Sequence, residues 1–418
     1  MNLLDDLQWR GLIQDATDPA ELAKLLDGES MTFYVGFDPT AASLHVGHLV
    51  QVLTARRLQL AGHQPLLLVG GATGMIGDPR ESAERVLNSA DVVTGWVEAI
   101  RTQLAPFVTY DGANAATLVN NLDWTGSVSA IDFLREVGKH FPISKMLARE
   151  VVKARLESGL SFTEFSYQLL QANDYYQLHQ RYGCQLQFGG SDQWGNITAG
   201  VDFIRRKGAG PVHAFTTPLV TKSDGTKFGK SEGNAVWLDA ELTSPYEFYQ
   251  FWFNTDDRDV ARYLRYFSFR SQDELLELEK ATAERPGARE AQRALAGDLT
   301  TLVHGEDETR QVIAASQALF GRGSLDDLSP ATLAGALAEA GVASLPAPLP
   351  AMAALLKESG LVTSMNEARR AIAEGGAYVN NVRITDPEAT VGVEELLHGR
   401  WLVLRRGKKT IAGIEVTA

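Results

Sequence analysis

Two histidines and a glycine stand where a predicted strand gives way to a predicted helix. The stretch "YVGFDPTAASLHVGH" (34–48) begins as an apolar strand and ends with His45, Gly47 and His48 at the first turn of a helical pattern. The histidines are three residues apart, so both side chains lie on one face. The free N–H groups at such a turn favour phosphate, and Gly47 permits close approach of a flat ring such as adenine. A metal site is disfavoured, since the zincin pattern places its histidines four apart around a glutamate.

A polar stripe follows one face of a long predicted helix, "SFTEFSYQLLQANDYYQLHQRYG". Tyr167, Gln171 and Asp174 have the spacing i, i+4, i+7, which aligns their side chains. The spacing alone leaves two interpretations, a stripe that faces water and a stripe that lines a cleft. Tyr167 favours the cleft, because an aromatic between polar residues more often lines one.

Three further segments combine glycine with polar residues. "GGSDQWGN" places Asp192 and Gln193 at a helix start, where the alternatives are an N-cap and a carboxylate that binds a ribose. "GGATGMIGDP" ends in Asp78 and is not a P-loop, because no Gly-Lys-Ser/Thr closes it. "KFGKS" carries Lys227 and Lys230 in a predicted mobile loop. Exposed loop lysines usually have no specific role, and the alternative is that both swing onto a polyphosphate.

The elements that must position these residues alternate between strand and helix. Strands are predicted over 31–37, 64–74, 116–124 and 184–190, with helical patterns between them. This alternation indicates a parallel sheet with helices on both faces, an α/β Rossmann-like fold. Ligands of such sheets bind at the carboxyl ends of the strands, near a switch in strand order.

Composition bounds the class of protein. The chain has 418 residues, 44% hydrophobic and 22% charged, which suits two or three domains. No apolar run reaches the roughly 20 residues that span a bilayer, and "MNLLDDLQWRGLIQD" lacks the pattern of a secretory signal. The single cysteine, Cys184, excludes a disulfide framework and a cysteine zinc site and fits a reducing cytoplasm. A net charge of -13 argues against a general nucleic-acid binder.

Changes in pattern predict four parts. These are a parallel-sheet catalytic domain (1–220), the loop with a helical domain (221–320), a proline-rich linker (321–350) and a small α+β unit (351–418). From Ala353 onward, nine Lys/Arg stand against eight Asp/Glu. A basic cluster near the end is either a solvated surface or a nucleic-acid contact, and it comprises Arg405, Arg406, Lys408 and Lys409.

Taken together, these motifs resemble the class I aminoacyl-tRNA synthetases, and most closely the bacterial tyrosyl branch. "LHVGH" resembles the HIGH signature of the class, and "KFGKS" resembles KMSKS with Phe228 and Gly229 in place of Met and Ser. "YVGFDPTAASLHVGH", "GGATGMIGDP" and "GGSDQWGNI" are similar to tyrosyl-branch motifs in order and spacing. "SMNEARRAIAEGGAYVNN" resembles an S4-type RNA-binding domain, so the likeness covers nearly the whole chain.

The resemblance implies an ATP-dependent activation of tyrosine, followed by transfer to tRNA(Tyr). The tyrosine carboxylate would attack the α-phosphorus of ATP, and since it is ionised at pH 7 it needs no general base. The protein must supply positioning and positive charge for the departing pyrophosphate. Mg²⁺ would arrive with the ATP, and no structural metal is expected. The residues assigned to the pyrophosphate are Thr40, His45, Lys227 and Lys230, and His48 completes the set of expected catalytic residues.

The same resemblance assigns the two substrate pockets. The tyrosine ammonium would meet Asp78, Tyr167 and Gln171, the phenolic hydroxyl would meet Tyr34 and Asp174, and Gln193 would lie beside the reacting carboxyl group. A site that buries polar groups for a hydroxyl rejects phenylalanine, and tyrosyl-branch enzymes are the established example of this effect, at about 10⁵-fold. The nucleotide contacts are assigned to Gly36, Asp38, Gly47, His48, Asp192 and Lys230.

Partners also follow from the resemblance. The S4-like unit is expected to grip tRNA through phosphates and shape, with Arg369, Arg370 and the cluster Arg405–Lys409 as candidate contacts. A cytoplasmic homodimer bridged by tRNA is expected, in which the helical domain within 221–320 would bind the anticodon. The family commonly has a lysine after "GDP", whereas this chain has "RESAER", so Arg80 or Arg85 is the candidate substitute.

Three alternatives are weighed against this hypothesis. A tryptophanyl enzyme shares both signatures, but Tyr34 with Asp174 disfavours it because indole has no hydroxyl. A small-molecule nucleotidyltransferase also uses an H-x-G-H turn, and the RNA-binding tail and "KFGKS" argue against it. A non-catalytic RNA-binding protein is disfavoured by the intact histidines and lysines.

Overall fold

The computed structural model of the chain describes residues 2–79, 87–156, 159–224, 226, 228–231, 234–407 and 410–417. For residues 230, 231 and 234 it describes the backbone alone. The chain forms two compact units, one of Met1–Asp239 with Asp256–Ala283 and the other of Ala240–Thr255 with Glu284–Ala418.

The described part of the chain contains α-helices and β-strands with the following bounds. The α-helices are α1 (Leu3–Arg10), α2 (Pro19–Leu26), α3 (Leu49–Leu60), α4 (Thr73–Ile76), α5 (Ala90–Leu104), α6 (Leu122–Thr125), α7 (Ala130–Glu136), α8 (Ile143–Leu147), α9 (Glu150–Arg155), α10 (Phe162–Tyr182), α11 (Trp194–Arg206), α12 (Pro245–Phe253), α13 (Asp257–Phe267), α14 (Gln272–Glu284), α15 (Glu290–His304), α16 (Glu306–Ala318), α17 (Pro330–Ala340), α18 (Met352–Glu358) and α19 (Met365–Ala373). The strands are β1 (Asp15–Ala16), β2 (Thr32–Phe37), β3 (Gln64–Val69), β4 (Thr117–Asn120), β5 (Leu186–Gly190), β6 (His213–Thr217), β7 (Lys230–Ser231), β8 (Asn234–Ala235), β9 (Val342–Pro346), β10 (Ala377–Val379), β11 (Val382–Arg383), β12 (Trp401–Arg406) and β13 (Thr410–Thr417).

The sheet of the first unit has the order β1-β6-β5-β2-β3-β4. All neighbours are parallel except β1, which pairs antiparallel with β6. The chain builds β2, β3 and β4 in one direction and then places β5 on the other side of β2. The strand order therefore switches between β2 and β5, and the predicted α/β fold with a parallel sheet is confirmed.

The two central strands separate soon after they pair. The register of β2 against β5 covers Phe33 with Leu186 and Tyr34 with Gln187. Beyond these pairs each strand runs on into small residues, Gly36 on β2 and Gly189 with Gly190 on β5. The divergence opens a crevice at the carboxyl ends of the strands, where ligands of open α/β sheets bind.

An aromatic cluster forms the floor beneath this crevice. Tyr34, Trp124 and Tyr175 are buried with aliphatic side chains of the sheet, and the rings of Tyr34 and Tyr175 are 5.3 Å apart. Burying such rings supplies much of the hydrophobic stabilisation of a core. This packed aromatic cluster therefore supports the residues that line the crevice.

The second unit combines helices with a sheet of order β11-β10-β12-β13-β9. Its strands are antiparallel except for β9, which runs parallel to β13. Leu355, Leu356 and Ile372 of α18 and α19 pack with Leu402 and Leu404 of β12 in its core. The sequence predicts strands at "AYVNN", "VRI" and "WLVLRR", which correspond to β10, β11 and β12, whereas it does not predict β9 and β13.

The segment 321–350, predicted as a linker, instead contains α17 and β9. The prolines explain the difference, because Pro330 occupies the first turn of α17 behind the N-cap Ser329, a position that proline favours. Similarly, residues 256–283 lie in the first unit although the sequence suggested a separate helical domain. Here Arg10 of α1 donates to the carbonyls of Ser268 and Arg270 just beyond α13.

Candidate active site

A cavity of about 500 Å³ opens at the switch between β2 and β5. Segments that are far apart in sequence meet there because parallel strands present their carboxyl ends at one edge. The residues predicted for the site that line this cavity are Tyr34, Gly36, Asp38, Thr40, His45, Gly47, His48, Asp78, Tyr167, Gln171, Asp174, Asp192 and Gln193.

A buried carboxylate lies at one end of the cavity. Asp174 accepts hydrogen bonds from Trp124 Nε1 at 2.8 Å and from Asn121 Nδ2 at 2.9 Å. Burial raises the pKa of Asp174 to about 7, even though both donors favour its ionised form. The Tyr34 hydroxyl lies within the field of this carboxylate, and burial and then the charge of Asp174 raise the pKa of Tyr34. The hydroxyl makes no hydrogen bond to any described residue.

A chain of hydrogen bonds connects this end to the middle of the cavity. Asn121 Nδ2 also donates to Thr73 Oγ1 at 2.9 Å, and Thr73 donates to Asp38 at 2.6 Å. The Tyr167 hydroxyl donates to the other carboxylate oxygen of Asp38 at 2.6 Å. Asp38, predicted as a nucleotide contact, therefore also fixes Tyr167, and both carboxylates share one network.

A second carboxylate, that of Asp78, also lines the cavity. Asp78 accepts from Gln193 Nε2 at 2.9 Å and from Asn196 Nδ2 at 3.1 Å. Burial raises the pKa of Asp78, and these two donors and the nearby Arg149 act against that rise. Gln171 presents a buried Oε1 that accepts no hydrogen bond from a described residue. The Asp78 carboxylate and the Gln171 amide oxygen are acceptors, as a cation requires.

The two histidines fold back onto their own turn. His45 Nδ1 accepts from Gly47 N at 3.0 Å, and His48 Nδ1 accepts from His45 N at 3.2 Å. With Nδ1 as acceptor, each neutral ring carries its proton on Nε2. Burial lowers the pKa of His45, and burial followed by the neighbouring His45 lowers the pKa of His48 to about 3. Both rings are thus neutral donors, whereas the sequence reasoning gave His45 a positive charge.

Gly47 is required by the turn itself. A Cβ at this position would lie 2.7 Å from Cε1 of the His45 ring. The two imidazoles lie with ring centroids 4.0 Å apart. Glycine thus lets the His45 ring cap the backbone, a reason that differs from the adenine approach predicted from the sequence.

The signature loop contacts this turn through described residues. A Cβ on Gly229, which has φ +77°, would lie 3.2 Å from Val46 and 3.7 Å from Gly47 N. Phe228 lies against the α13 rings of Tyr263 and Phe267, with centroids 5.2 and 6.0 Å away. Lys230 belongs to β7, where only its backbone is described, and Lys227, Arg80 and Arg85 lie outside the described residues.

The candidate RNA contacts lie in the second unit. Arg369 and Arg370 are exposed on α19, with Glu388 and Glu374 as their ion-pair partners. Arg405 is only 9% exposed, and its guanidinium lies 4.0 Å from the ring centre of Tyr378. A buried, stacked arginine offers little to a phosphate, so this placement differs from the expected exposed cation. Arg406 pairs with Glu367 at 2.9 Å, and Lys408 and Lys409 lie outside the described residues.

Sequence reasoning missed four residues of the network. Thr73, Asn121 and Trp124 follow the carboxyl ends of β3 and β4, and Asn196 lies one helical turn beyond Gln193. The signal was available, because polar residues directly after a parallel strand face the ligand edge. In the sequence alone, "GGATG" and "NNLDW" stand out only for their glycines and their apolar pattern.

Neither a metal centre nor a membrane span was found in the described part of the chain. Its His, Cys, Asp and Glu side chains form no group of three that could hold an ion. Its helices include none that is long and apolar enough to cross a bilayer.

Two protein-family models match the chain and show the class of protein to which it belongs. The family model for "tRNA synthetases class I (W and Y)" matches residues 26–321, which include the parallel sheet and both signatures. The model "Tyrosine--tRNA ligase SYY-like C-terminal domain" matches residues 339–412. The crevice at the strand switch thus belongs to a class I tRNA synthetase fold.

Individual relatives show which family within this class the chain belongs to. The chain is similar to the tyrosine–tRNA ligase of Streptomyces coelicolor, 61% identical over all of this chain and 99% of the relative. It is equally similar to that of Streptomyces griseus, 61% identical over 99% of each. The truncated mitochondrial tyrosyl-tRNA synthetase of Aspergillus nidulans aligns with a TM-score of 0.70 and 33% identity, over 76% of this chain and 94% of that one. The chain belongs to the tyrosine–tRNA ligase family.

Proposed function

We propose that this ligase uses the cavity to join L-tyrosine to ATP, forming tyrosyl-adenylate and pyrophosphate, before tyrosine passes to tRNA(Tyr). One observation carries the assignment. Three residues of the cavity wall, Tyr34, Gln171 and Gln187, carry a buried polar atom that lacks a partner among the described residues, and two of these atoms are the Tyr34 hydroxyl beside Asp174 and the Gln171 amide oxygen. Unpaired buried groups are costly, and tyrosine would satisfy both.

The phenolic end supports tyrosine by complementary hydrogen bonding. A phenol both donates and accepts. It would donate to Asp174, whose two oxygens each retain a free lone pair, and accept from the Tyr34 hydroxyl. Phenylalanine would leave both groups buried and unpaired, which is the physical basis of discrimination at such sites.

The ammonium end supports binding of the α-amino group. Asp78, Gln171 and Tyr167 all line the cavity, and each side chain carries an oxygen that can accept a hydrogen bond. An ammonium has three donors and no acceptor, so three oxygens meet its requirement. Gln193 adjoins Asp78 and would lie beside the tyrosine carboxylate.

The histidine turn would receive the ATP phosphates. His45 and His48 would each offer Nε2–H as a neutral donor, together with the Thr40 hydroxyl and the N–H groups of the turn. Positive charge would then come from Lys227 and Lys230 and from Mg²⁺ bound to ATP. Gly36, Asp38, Gly47 and Asp192 would contact the nucleoside. Attack by an ionised carboxylate requires no proton transfer, so positioned donors and cations would account for the acceleration.

Transfer to tRNA would involve both compact units of the chain, and the protein would act as a cytoplasmic homodimer. Exposed apolar side chains are concentrated between residues 128 and 162, with Ile131 at 70% and Phe162 at 72% exposure. Exposed apolar side chains mark an interaction surface where they form one patch, and a second copy of the chain would be the partner that covers it. Arg369 and Arg370 remain the candidate tRNA contacts, at a domain that resembles the S4 type.

Amino-acid-dependent exchange between pyrophosphate and ATP tests this proposal. We expect exchange with tyrosine and only trace exchange with phenylalanine or tryptophan. Exchange driven by tryptophan instead would overturn the assignment of the Tyr34–Asp174 end, and no exchange with any amino acid would refute the activation step.

A further inference from the structure

Two carboxylates fix the direction of a buried amide chain beside the cavity. A carboxylate only accepts hydrogen bonds, so Asn196 must direct its NH₂ group toward Asp78 Oδ1, 3.1 Å away. The same Nδ2 donates to Gln193 Oε1 at 3.0 Å. Gln193 therefore directs its nitrogen the other way, to Asp78 Oδ2 at 2.9 Å and Asp192 Oδ2 at 3.1 Å. Reversing either amide would bring two oxygens into contact.

Asn196 performs no evident task for the fold alone. Its side chain is fully buried, and its Oδ1 accepts no hydrogen bond from a described residue. A buried oxygen without a partner costs stability, and an apolar side chain of similar size would avoid that cost. Asn196 is not part of the cavity wall, whereas Asp78 and Gln193 both are.

We infer that Asn196 is a positioning residue for tyrosine activation, which holds Asp78 and Gln193 in the orientations that the ammonium and carboxylate of tyrosine require. The inference rests on the roles proposed above for those two residues. Asn196 occupies Asp78 Oδ1 and leaves Oδ2 on the side of Gln193, where an ammonium can replace the amide donor. It also binds the Gln193 oxygen, which leaves the nitrogen, the only group of that side chain able to donate to a carboxylate, directed to Asp78 and Asp192.

The surrounding charges give this role a measurable consequence. Burial raises the pKa of Asp78, whereas the donors Gln193 and Asn196 and the Arg149 guanidinium lower it, and Asp192 raises it. From α10, the Tyr167 hydroxyl lies in the field of the same carboxylate. Loss of the Asn196 donor removes stabilisation of the ionised form, so Asp78 would ionise only at higher pH.

The test is tyrosine-dependent pyrophosphate exchange by the full-length Asn196→Leu variant between pH 5.5 and 9. We expect KM for tyrosine to rise about tenfold and KM for ATP to stay unchanged. The acid limb of kcat/KM for tyrosine should move up by about one pH unit. Asn196→Asp, which keeps the shape but adds a like charge, should move it further.

A matched control is Gln168→Leu. Gln168 is also a buried amide, and it donates to Gly195 O at 2.8 Å, one residue before Asn196. A merely structural disturbance of this turn would affect stability in both variants but would leave the acid limb in place. An Asn196→Leu profile that matches the Gln168→Leu profile refutes the inference.

Two further measurements separate the inference from its premise. If Asp78→Asn leaves KM for tyrosine unchanged, the proposed ammonium site is wrong. If Asp78→Asn raises KM but the folded Asn196 variants do not, the positioning role is wrong and the ammonium site stands. A crystal structure of the wild-type protein with bound tyrosine tests the inference even if the variants do not fold. It should retain both Asn196 Nδ2 bonds, and loss of either bond overturns the inference.

Discussion

Replacing Tyr34 with phenylalanine should make the ligand-free protein more stable and lower its selectivity for tyrosine over phenylalanine. The Tyr34 hydroxyl is buried, with the residue 2% exposed, and it lacks a hydrogen-bond partner among the described residues. Removing an unsatisfied buried hydroxyl relieves a penalty of about 1–3 kcal/mol. The free energy of unfolding without ligand should therefore increase by up to that amount.

The same substitution removes a donor to the substrate phenol. A neutral hydrogen bond contributes about 0.5–1.5 kcal/mol net, which corresponds to a loss of about 2- to 13-fold in kcat/KM for tyrosine. Activation of phenylalanine should not decline, because it has no hydroxyl to accept the bond. The ratio of the two kcat/KM values should fall by the same factor.

Tyr175→Phe provides the matched control, since the two rings pack together at 5.3 Å. The Tyr175 hydroxyl is satisfied, lying 2.8 Å from His213 O and 3.0 Å from Gln185 O. Its removal should destabilise the protein by about 0.5–1.5 kcal/mol and leave selectivity unchanged. Urea denaturation and steady-state pyrophosphate exchange measure both effects. A Tyr34→Phe protein that is less stable than wild type, with unchanged selectivity, would refute the reasoning.

Other changes test the remaining parts of the site. Asp174→Asn should lower the preference for tyrosine over phenylalanine at least tenfold, since a charged acceptor is lost, and an unchanged kcat/KM ratio would exclude Asp174 from the pocket. The pKa of Asp174, about 7 in the folded state, lies above that of an unfolded aspartate. The group therefore stabilises the ligand-free protein at low pH, and this stabilisation disappears as the pH rises from about 4 to 7. The free energy of unfolding of the Asn variant should lack this dependence on pH. His45→Ala should reduce the single-turnover rate of activation about 100-fold with little change in KM for tyrosine, and a KM effect alone would contradict a role at the phosphates. Replacing both Arg369 and Arg370 with glutamate should raise KM for tRNA about tenfold and make that KM less dependent on salt, while the rate of pyrophosphate exchange stays unchanged. An equal loss of tRNA charging and of pyrophosphate exchange would contradict a tRNA role.

The sequence predicted the framework because hydrophobic period and strand ends are local signals. The long helix predicted from 161–183 is α10 (Phe162–Tyr182), and the strands at 31–37 and 184–190 are β2 and β5. Once the strands are parallel, their carboxyl ends must meet. Tyr34 on β2 and Asp78 beyond β3 therefore converge on one cavity, and the i, i+4, i+7 spacing on α10 aligns Asp174 with Tyr167 and Gln171 in the same wall.

The remainder depended on tertiary contacts that have no local signature. Nothing in "LHVGH" reveals that each half-buried ring accepts a backbone N–H, yet this makes the histidines neutral donors. The direction of the amide chain through Asn196 depends on carboxylates more than a hundred residues apart, Asp78 and Asp192. The burial of Arg405 against Tyr378 likewise follows from the pairing of β10 with β12, which a count of basic residues does not anticipate.

The most direct test of the proposed site is a crystal structure with a sulfamoyl analogue of tyrosyl-adenylate. The phenolic oxygen should lie within hydrogen-bond distance of Tyr34 Oη and of Asp174, and the ammonium should contact Asp78 and Gln171. An analogue bound with its phenol at the histidine turn, or outside the β2–β5 crevice, would contradict the account.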